Sequence, residues 1–153
     1  TAEEMRTAVH AAAASADVVV MAAAVADFRP ANRAEHKIKK SDDQPDPVIT
    51  LDRNPDILAE LVANRTAGQV IVGFAAETGD EKGGVLDHAR AKLKRKGADL
   101  LVVNAVGEGK AFGTEDNSGW LLGSDGTELP IPMGAKAQLA ATLWDAVSSF
   151  MKR

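Results

Sequence analysis

Apolar residues gather along the chain in three short, nearly unbroken runs: residues 17–24 (DVVVMAAA), 69–76 (QVIVGFAA) and 98–106 (ADLLVVNAV). β-Branched centres and apolar positions on both alternating faces predict interior strands of a parallel sheet. Between the runs the apolar period lengthens to helical spacing. Thr1-Ala2-Glu3-Glu4 has capping-box spacing and is followed by Met5, Ala8, Val9, Ala12 and Ala16 on one stripe. Asn54-Pro55-Asp56 predicts a helix start, with Asn54 as cap and Pro55 in the first turn, followed by the stripe Ile57, Leu58, Leu61 and Val62. A third helix is predicted over 85–96. Strands alternating with helices in this way predict an α/β fold, a Rossmann-like three-layer parallel sheet. Trp120 to Leu122 and Thr127 to Ile131, around Ser124-Asp125-Gly126, read as a C-terminal β-hairpin extension over 107–131. Pro132 is expected to precede a last helix striped by Leu139, Leu143, Val147, Phe150 and Met151.

Two stretches break the pattern. Residues 30–50 are polar, carry Pro30, Pro45 and Pro47, and predict a flap or hairpin, either a binding loop or a plain surface excursion. Residues 107–118 form a glycine-rich, charged loop. The whole reads as one domain, 1–153. The first helix feeds directly into a strand, like the second half of a βαβ unit whose first strand lies upstream, so the chain reads as a fragment.

Composition then narrows the chemistry. With 18 Lys+Arg against 22 Asp+Glu among 153 residues, the formal charge is -4, so an anion site must be a local cluster and nucleic acid is not an expected partner. There is no Cys, and His10, His36 and His88 lack ligand spacing, which excludes a disulfide framework, a thiol nucleophile and a protein-built transition-metal site. The apolar runs are too short to cross a bilayer, and a cytoplasmic chain is expected.

In open α/β sheets ligands sit beyond the carboxyl ends of the strands. There the first run ends in Ala22, Ala23 and Ala24, small enough for a phosphate to approach backbone N–H groups, with Asp27 close behind. In Lys37-Ile38-Lys39-Lys40 an extended backbone would turn Lys37 and Lys39 to one side, toward polyphosphate or simply toward solvent as a blunted edge. Phe74 is core filler or a ring beside a ligand. Lys92 and Lys96 share a helix face at i, i+4, either facing an anion or complementing the helix dipole, while Lys94 and Arg95 are expected to face solvent. Asn104 interrupts the third run and bonds a ligand or a neighbouring loop. Gly107-Glu108-Gly109 fails as a dinucleotide fingerprint, since Phe112 stands where the third glycine belongs, and no P-loop, nucleophile elbow or kinase signature is present.

The segments AAAVADFRP, KIKK, NPDIL, VGFAAET, ARAKLKRKGADLLVVN and FGTEDN, in this order, resemble bacterial phosphopantothenoylcysteine synthetase. The resemblance covers nearly the whole chain. It implies a CTP-dependent ligase that joins 4′-phosphopantothenate and L-cysteine through an acyl-cytidylate with Mg²⁺, in coenzyme A biosynthesis. It also implies a homodimer and fusion to a flavin-dependent decarboxylase that carries FMN. It assigns nucleotide contacts to Met21, Ala22, Ala23, Asp27, Lys37, Asn54, Pro55, Asp56, Ile57, Phe74, Lys92, Lys96 and Asn104, and phosphopantothenate contacts to Ala23, Ala24 and Asp27. Lys37 takes the catalytic role, stabilising charge at the reacting phosphate. The family's glycine- and serine-rich phosphate loop, catalytic asparagine and cross-subunit arginine do not precede Thr1, so the resemblance implies an incomplete site and an inactive fragment. Two other classes fit the strand pattern: a Rossmann-like subdomain of an oxidoreductase, and a noncatalytic nucleotide-binding or dimerisation module.

Overall fold

The structure is a computed structural model and describes residues 1–39, 46–81, 83–105 and 116–152. The elements in chain order are α1 (Ala2–Ala13), β1 (Val18–Met21), β2 (Phe28–Pro30), β3 (Leu51–Arg53), α2 (Ile57–Ala63), β4 (Val70–Glu77), α3 (Val85–Lys96), β5 (Leu100–Ala105), β6 (Asp116–Gly123), β7 (Glu128–Ala135) and α4 (Lys136–Phe150). One sheet has the order β1-β4-β5-β6-β7, and β2 and β3 form a separate two-stranded ribbon. β4 pairs in parallel with β1 and β5, while β6 is antiparallel to both β5 and β7. The expected parallel α/β sheet is present in β1, β4 and β5, and the hairpin continues the same sheet antiparallel, which makes it mixed.

Alternation along the strands makes three layers. Val70, Val72, Leu100, Val102 and Leu121 turn to one face, where Leu139, Leu143 and Val147 of α4 cover them. The intervening residues turn to the other face: Val19, Met21 and Ile71 against α1 and α2, and Ala75, Leu101, Val103 and Leu122 against α3. Ile71, Val72, Leu100, Leu101, Val102 and Val103 are wholly buried. Burying each such side chain stabilises the fold by about 1.5–3 kcal/mol, so the β4–β5 pair is the principal source of core stability.

Polar groups fix the amino ends of the strands. Buried Gln69 donates from Nε2 to the carbonyls of Ala13 (2.8 Å) and Ala16 (2.7 Å), satisfying groups left open where α1 ends. Asp99 accepts from Arg65 and from the Ile71 N–H (2.8 Å), tying β4 to β5. At the other end of α3, Gly97 takes the left-handed conformation (φ 72°) and donates to the Leu93 carbonyl, which stops the helix where the sequence predicts.

Several expectations need correction. β1 ends at Met21, so Ala22, Ala23 and Ala24 lie beyond the strand, and among the described residues β1 pairs with β4. The cap of α2 is Asp56, whose side chain accepts from the Ala59 N–H at 3.1 Å, not Asn54. Residues 116–118 belong to β6 rather than to a loop, and 106–115 lie outside the described residues, as does Lys40. Pro132 precedes the last helix, as expected. It sits with Pro130 in β7, an edge strand, where a missing N–H need not break a ladder. The 30–50 excursion is rooted in the β2–β3 ribbon, with Phe28 opposite Arg53, while 31–39 contains no strand. Among the described residues no helix is long and apolar enough to cross a membrane.

Candidate functional site

Beyond the carboxyl ends of β1 and β4 lies a cleft of about 540 Å³. Its walls are Met21 with the loop 23–28, the β3 end and α2 start from Arg53 to Leu58, Phe74 to Ala76 of β4, and Lys92, Arg95 and Lys96 of α3. Small residues leave the backbone of the first loop open, and the alternation of β4 places Ala75 rather than a larger side chain at the floor.

Asn54 is the clip that closes one corner. Its Nδ2 donates to the Ala26 carbonyl (2.8 Å), its backbone N–H donates to the Asp27 carbonyl (2.8 Å), and its Oδ1 accepts from Arg29 (3.1 Å). The loop after β1 and the start of α2 thereby form one wall. The side chain sequence reasoning offers as a cap or a ligand contact is committed to holding that wall together.

The cations of α3 carry their own counter-ions. Lys92 pairs with Glu77 at the end of β4, and Lys96 pairs with Asp56. Burial alone would push the Asp56 carboxyl up. The Lys96 ammonium, the Ala59 N–H and the nearby Arg95 charge outweigh it and hold the group below the usual carboxylate range. Stability from this pairing is present above the ordinary carboxylate range and is lost as the pH falls through the lowered value.

Of the residues singled out in the sequence, Met21, Ala23, Ala24, Asp27, Asn54, Pro55, Asp56, Ile57, Phe74, Lys92 and Lys96 line this one cleft. Ala22, Lys37 and Asn104 do not. Lys37 is exposed in the excursion between β2 and β3. Asn104 Oδ1 accepts from Nδ2 of the buried Asn117 (2.9 Å), so its amide is engaged with β6. Arg95, expected to face solvent, is exposed and also lines the cleft, three residues after Lys92 on α3. Arg53 and Leu101 were also missed. Arg53 carries no local signal, because the ribbon that brings it to the cleft pairs residues about twenty apart in sequence. Lys94 lines a separate pocket between α3 and the β6–β7 turn. Lys92→Ala is therefore expected to weaken anion binding in the cleft by about tenfold or more, with Lys94→Ala close to wild type. Equal effects in a binding titration would favour a diffuse helix-dipole role for both.

Among the described residues no three His, Cys, Asp or Glu side chains gather as a metal site. Asp27 is the cleft carboxylate with no ion pair among the described residues. One such carboxylate suits a divalent ion that arrives on phosphates and keeps most of its own waters.

Comparison with known proteins places this architecture. The coenzyme A biosynthesis bifunctional protein CoaBC of Mycobacterium tuberculosis (strain ATCC 25618 / H37Rv) is 56% identical over 156 residues, covering 99% of this chain and 37% of the relative. The protein of the same description from Vibrio vulnificus (strain CMCP6) is 42% identical over 152 residues, covering 99% of this chain and 37% of that protein. The chain thus spans 37% of the length of these curated relatives. A crystal structure of the C-terminal domain of CoaBC superposes with a TM-score of 0.76 at 28% identity, covering 99% of this chain and 63% of that one. The DNA/pantothenate metabolism flavoprotein from Streptococcus pneumoniae shares the fold, with a TM-score of 0.72 at 17% identity over 97% of this chain and 69% of that one. A match to the DNA/pantothenate metabolism flavoprotein C-terminal domain runs over residues 1–151, taking in the whole sheet and every wall of the cleft, and the chain belongs to that family.

Proposed function

We propose that the cleft is the nucleotide and phosphopantothenate site of a phosphopantothenate–cysteine ligase, the synthetase of coenzyme A biosynthesis. The observation that carries this reading is the convergence of the assigned residues: all but Ala22, Lys37 and Asn104 line the one cleft.

A carboxylate acylates poorly, so it is first activated. An oxygen of the phosphopantothenate carboxylate attacks the α-phosphorus of CTP, the bond to the β-phosphate breaks, and pyrophosphate leaves. The cysteine amine then attacks the acyl carbon of the cytidylate, the bond to the CMP oxygen breaks, and the amine gives up a proton. Two anions meet in the first step, and charge grows on the transferring phosphoryl oxygens, which calls for cations placed in advance. Lys92 and Lys96 stand in the cleft wall for that purpose. Lys37, carried on the excursion rooted at Phe28 and Arg53, would supply charge at the reacting phosphate. Mg²⁺ would enter on the phosphates with Asp27 as its protein carboxylate and would neutralise phosphate charge. No enzyme nucleophile is required, in keeping with a chain that has no Cys.

A homodimer fits the exposed apolar side chains of Phe28, Val48, Ile49 and Leu51 on and beside the ribbon, since such patches mark protein contacts. Fusion to a flavin-dependent decarboxylase with its FMN is supported by the bifunctional description of the relatives.

The test is turnover of phosphopantothenate labelled with ¹⁸O in its carboxylate, together with CTP, Mg²⁺ and cysteine, by the full-length protein. One labelled oxygen is expected in CMP, and CTP is expected to outcompete ATP. Label absent from CMP would exclude the acyl-cytidylate, and equal use of ATP would exclude the CTP preference.

A further inference from the structure

We propose that Arg53 and Arg95 bind phosphoryl oxygens in the cleft, adding positive charge to that of its paired lysines. Each cleft lysine arrives with a carboxylate in contact: Glu77, 15% exposed, on Lys92, and Asp56 on Lys96. An anion approaching either ammonium must compete with that carboxylate, so the net attraction is smaller than a bare lysine would give. Arg53 and Arg95 line the same cleft, and neither has an ion-pair partner among the described residues. Against them stands one cleft carboxylate outside any ion pair among those residues, Asp27.

The two guanidinium groups come from different elements. Arg95 lies three residues after Lys92 and one before Lys96 on α3, near enough for its field to act on Asp56. Arg53 closes β3 opposite Phe28, itself part of the cleft wall. Its backbone carbonyl accepts from Arg29 at 3.0 Å, which holds the ribbon end in place. A planar fork of N–H donors matches phosphoryl oxygens in pairs and sheds water more readily than an ammonium. These features make the arginines, rather than the paired lysines, the first partners of an entering phosphate.

This assignment rests on the proposed function, under which phosphoryl oxygens have two sources: the CTP triphosphate and the 4′-phosphate of phosphopantothenate. Calorimetric titration of the full-length protein with CTP, cytidine, phosphopantothenate and pantothenate separates them. Arg53→Gln and Arg95→Gln are each expected to weaken a phosphorylated ligand by about 10- to 100-fold while leaving its unphosphorylated counterpart unchanged. Lys94→Gln is expected to change neither, and Arg95→Lys to recover part of the loss. Loss on CTP assigns an arginine to the triphosphate, and loss on phosphopantothenate assigns it to the 4′-phosphate. Thermal melts matched to wild type separate lost contacts from lost folding. If wild type binds and both arginine variants bind equally well, the assignment is overturned and the function stands. If wild type binds neither phosphorylated ligand, both are overturned.

Discussion

Lys37→Gln in the full-length protein is expected to reduce pyrophosphate release by about 100- to 1000-fold, the usual cost of removing one preorganised donor to a transition-state oxyanion. Its melting temperature is expected to stay within about 1 °C of wild type, because an exposed side chain off the core contributes little packing. The two results together are informative. Lys37 lies on the excursion between β2 and β3, and the ribbon at its base has both Phe28 and Arg53 in the cleft wall. Lys37 is exposed and does not line the cleft, so its role is read from the rate and not from the stability. Pyrophosphate release within threefold of wild type would remove Lys37 from the chemistry and leave it a solvated edge lysine.

Gly119→Ala is expected to have the largest effect on stability. A Cβ at this position would lie 1.8 Å from the Val103 carbonyl oxygen and 2.9 Å from its carbon. Both belong to the backbone of β5, so no rotamer change relieves the overlap. The register between β6 and β7 shifts between Asn117 and Gly119, and the missing side chain lets β6 press against β5 at that irregularity. Overpacking against a mobile side chain costs about 1–3 kcal/mol, and overlap with a buried strand should exceed it. A fall in melting temperature of roughly 10 °C or more is expected. Gly84→Ala is the control: its added Cβ would meet nothing nearer than an Asp87 oxygen at 3.6 Å. Similar losses in both variants would show that glycine removal acts through backbone freedom and not through this contact.

The legibility of the sequence follows the range of the forces involved. α3 and β5 are plain in it because their determinants are local: a helical stripe ending in Gly97, then an apolar run. Cleft residues with a local cue are legible too: Ala23 and Ala24 just after an apolar run, Asn54 to Ile57 at a helix start, and Lys92 and Lys96 at i, i+4 spacing. Asn54 and Asp56 flank one proline and are both good caps, and what decides between them is tertiary: Asn54 is drawn to the Ala26 carbonyl, which leaves Asp56 to cap α2 and to meet Lys96. The ribbon has no pattern to read, since its strands are three residues each and exposed throughout. Arg53 was lost with it. Arg95 was lost for a different reason: helical spacing places it beside Lys92 as well as Lys96 does, and the width of the cleft decides how much of that face is used.

The polar anchors at the amino ends of β4 and β5 bear on how the protein can change. Val70 to Glu77 spans about 25 Å at strand rise, with Gln69 before one end and the cleft at the other. Substitutions separated by more than about 10 Å and sharing no partner add nearly independently. A combinatorial library over residues 23–28, built on a parent stabilised around Gln69, Arg65 and Asp99, should therefore tolerate costly specificity changes with little epistasis between the two ends.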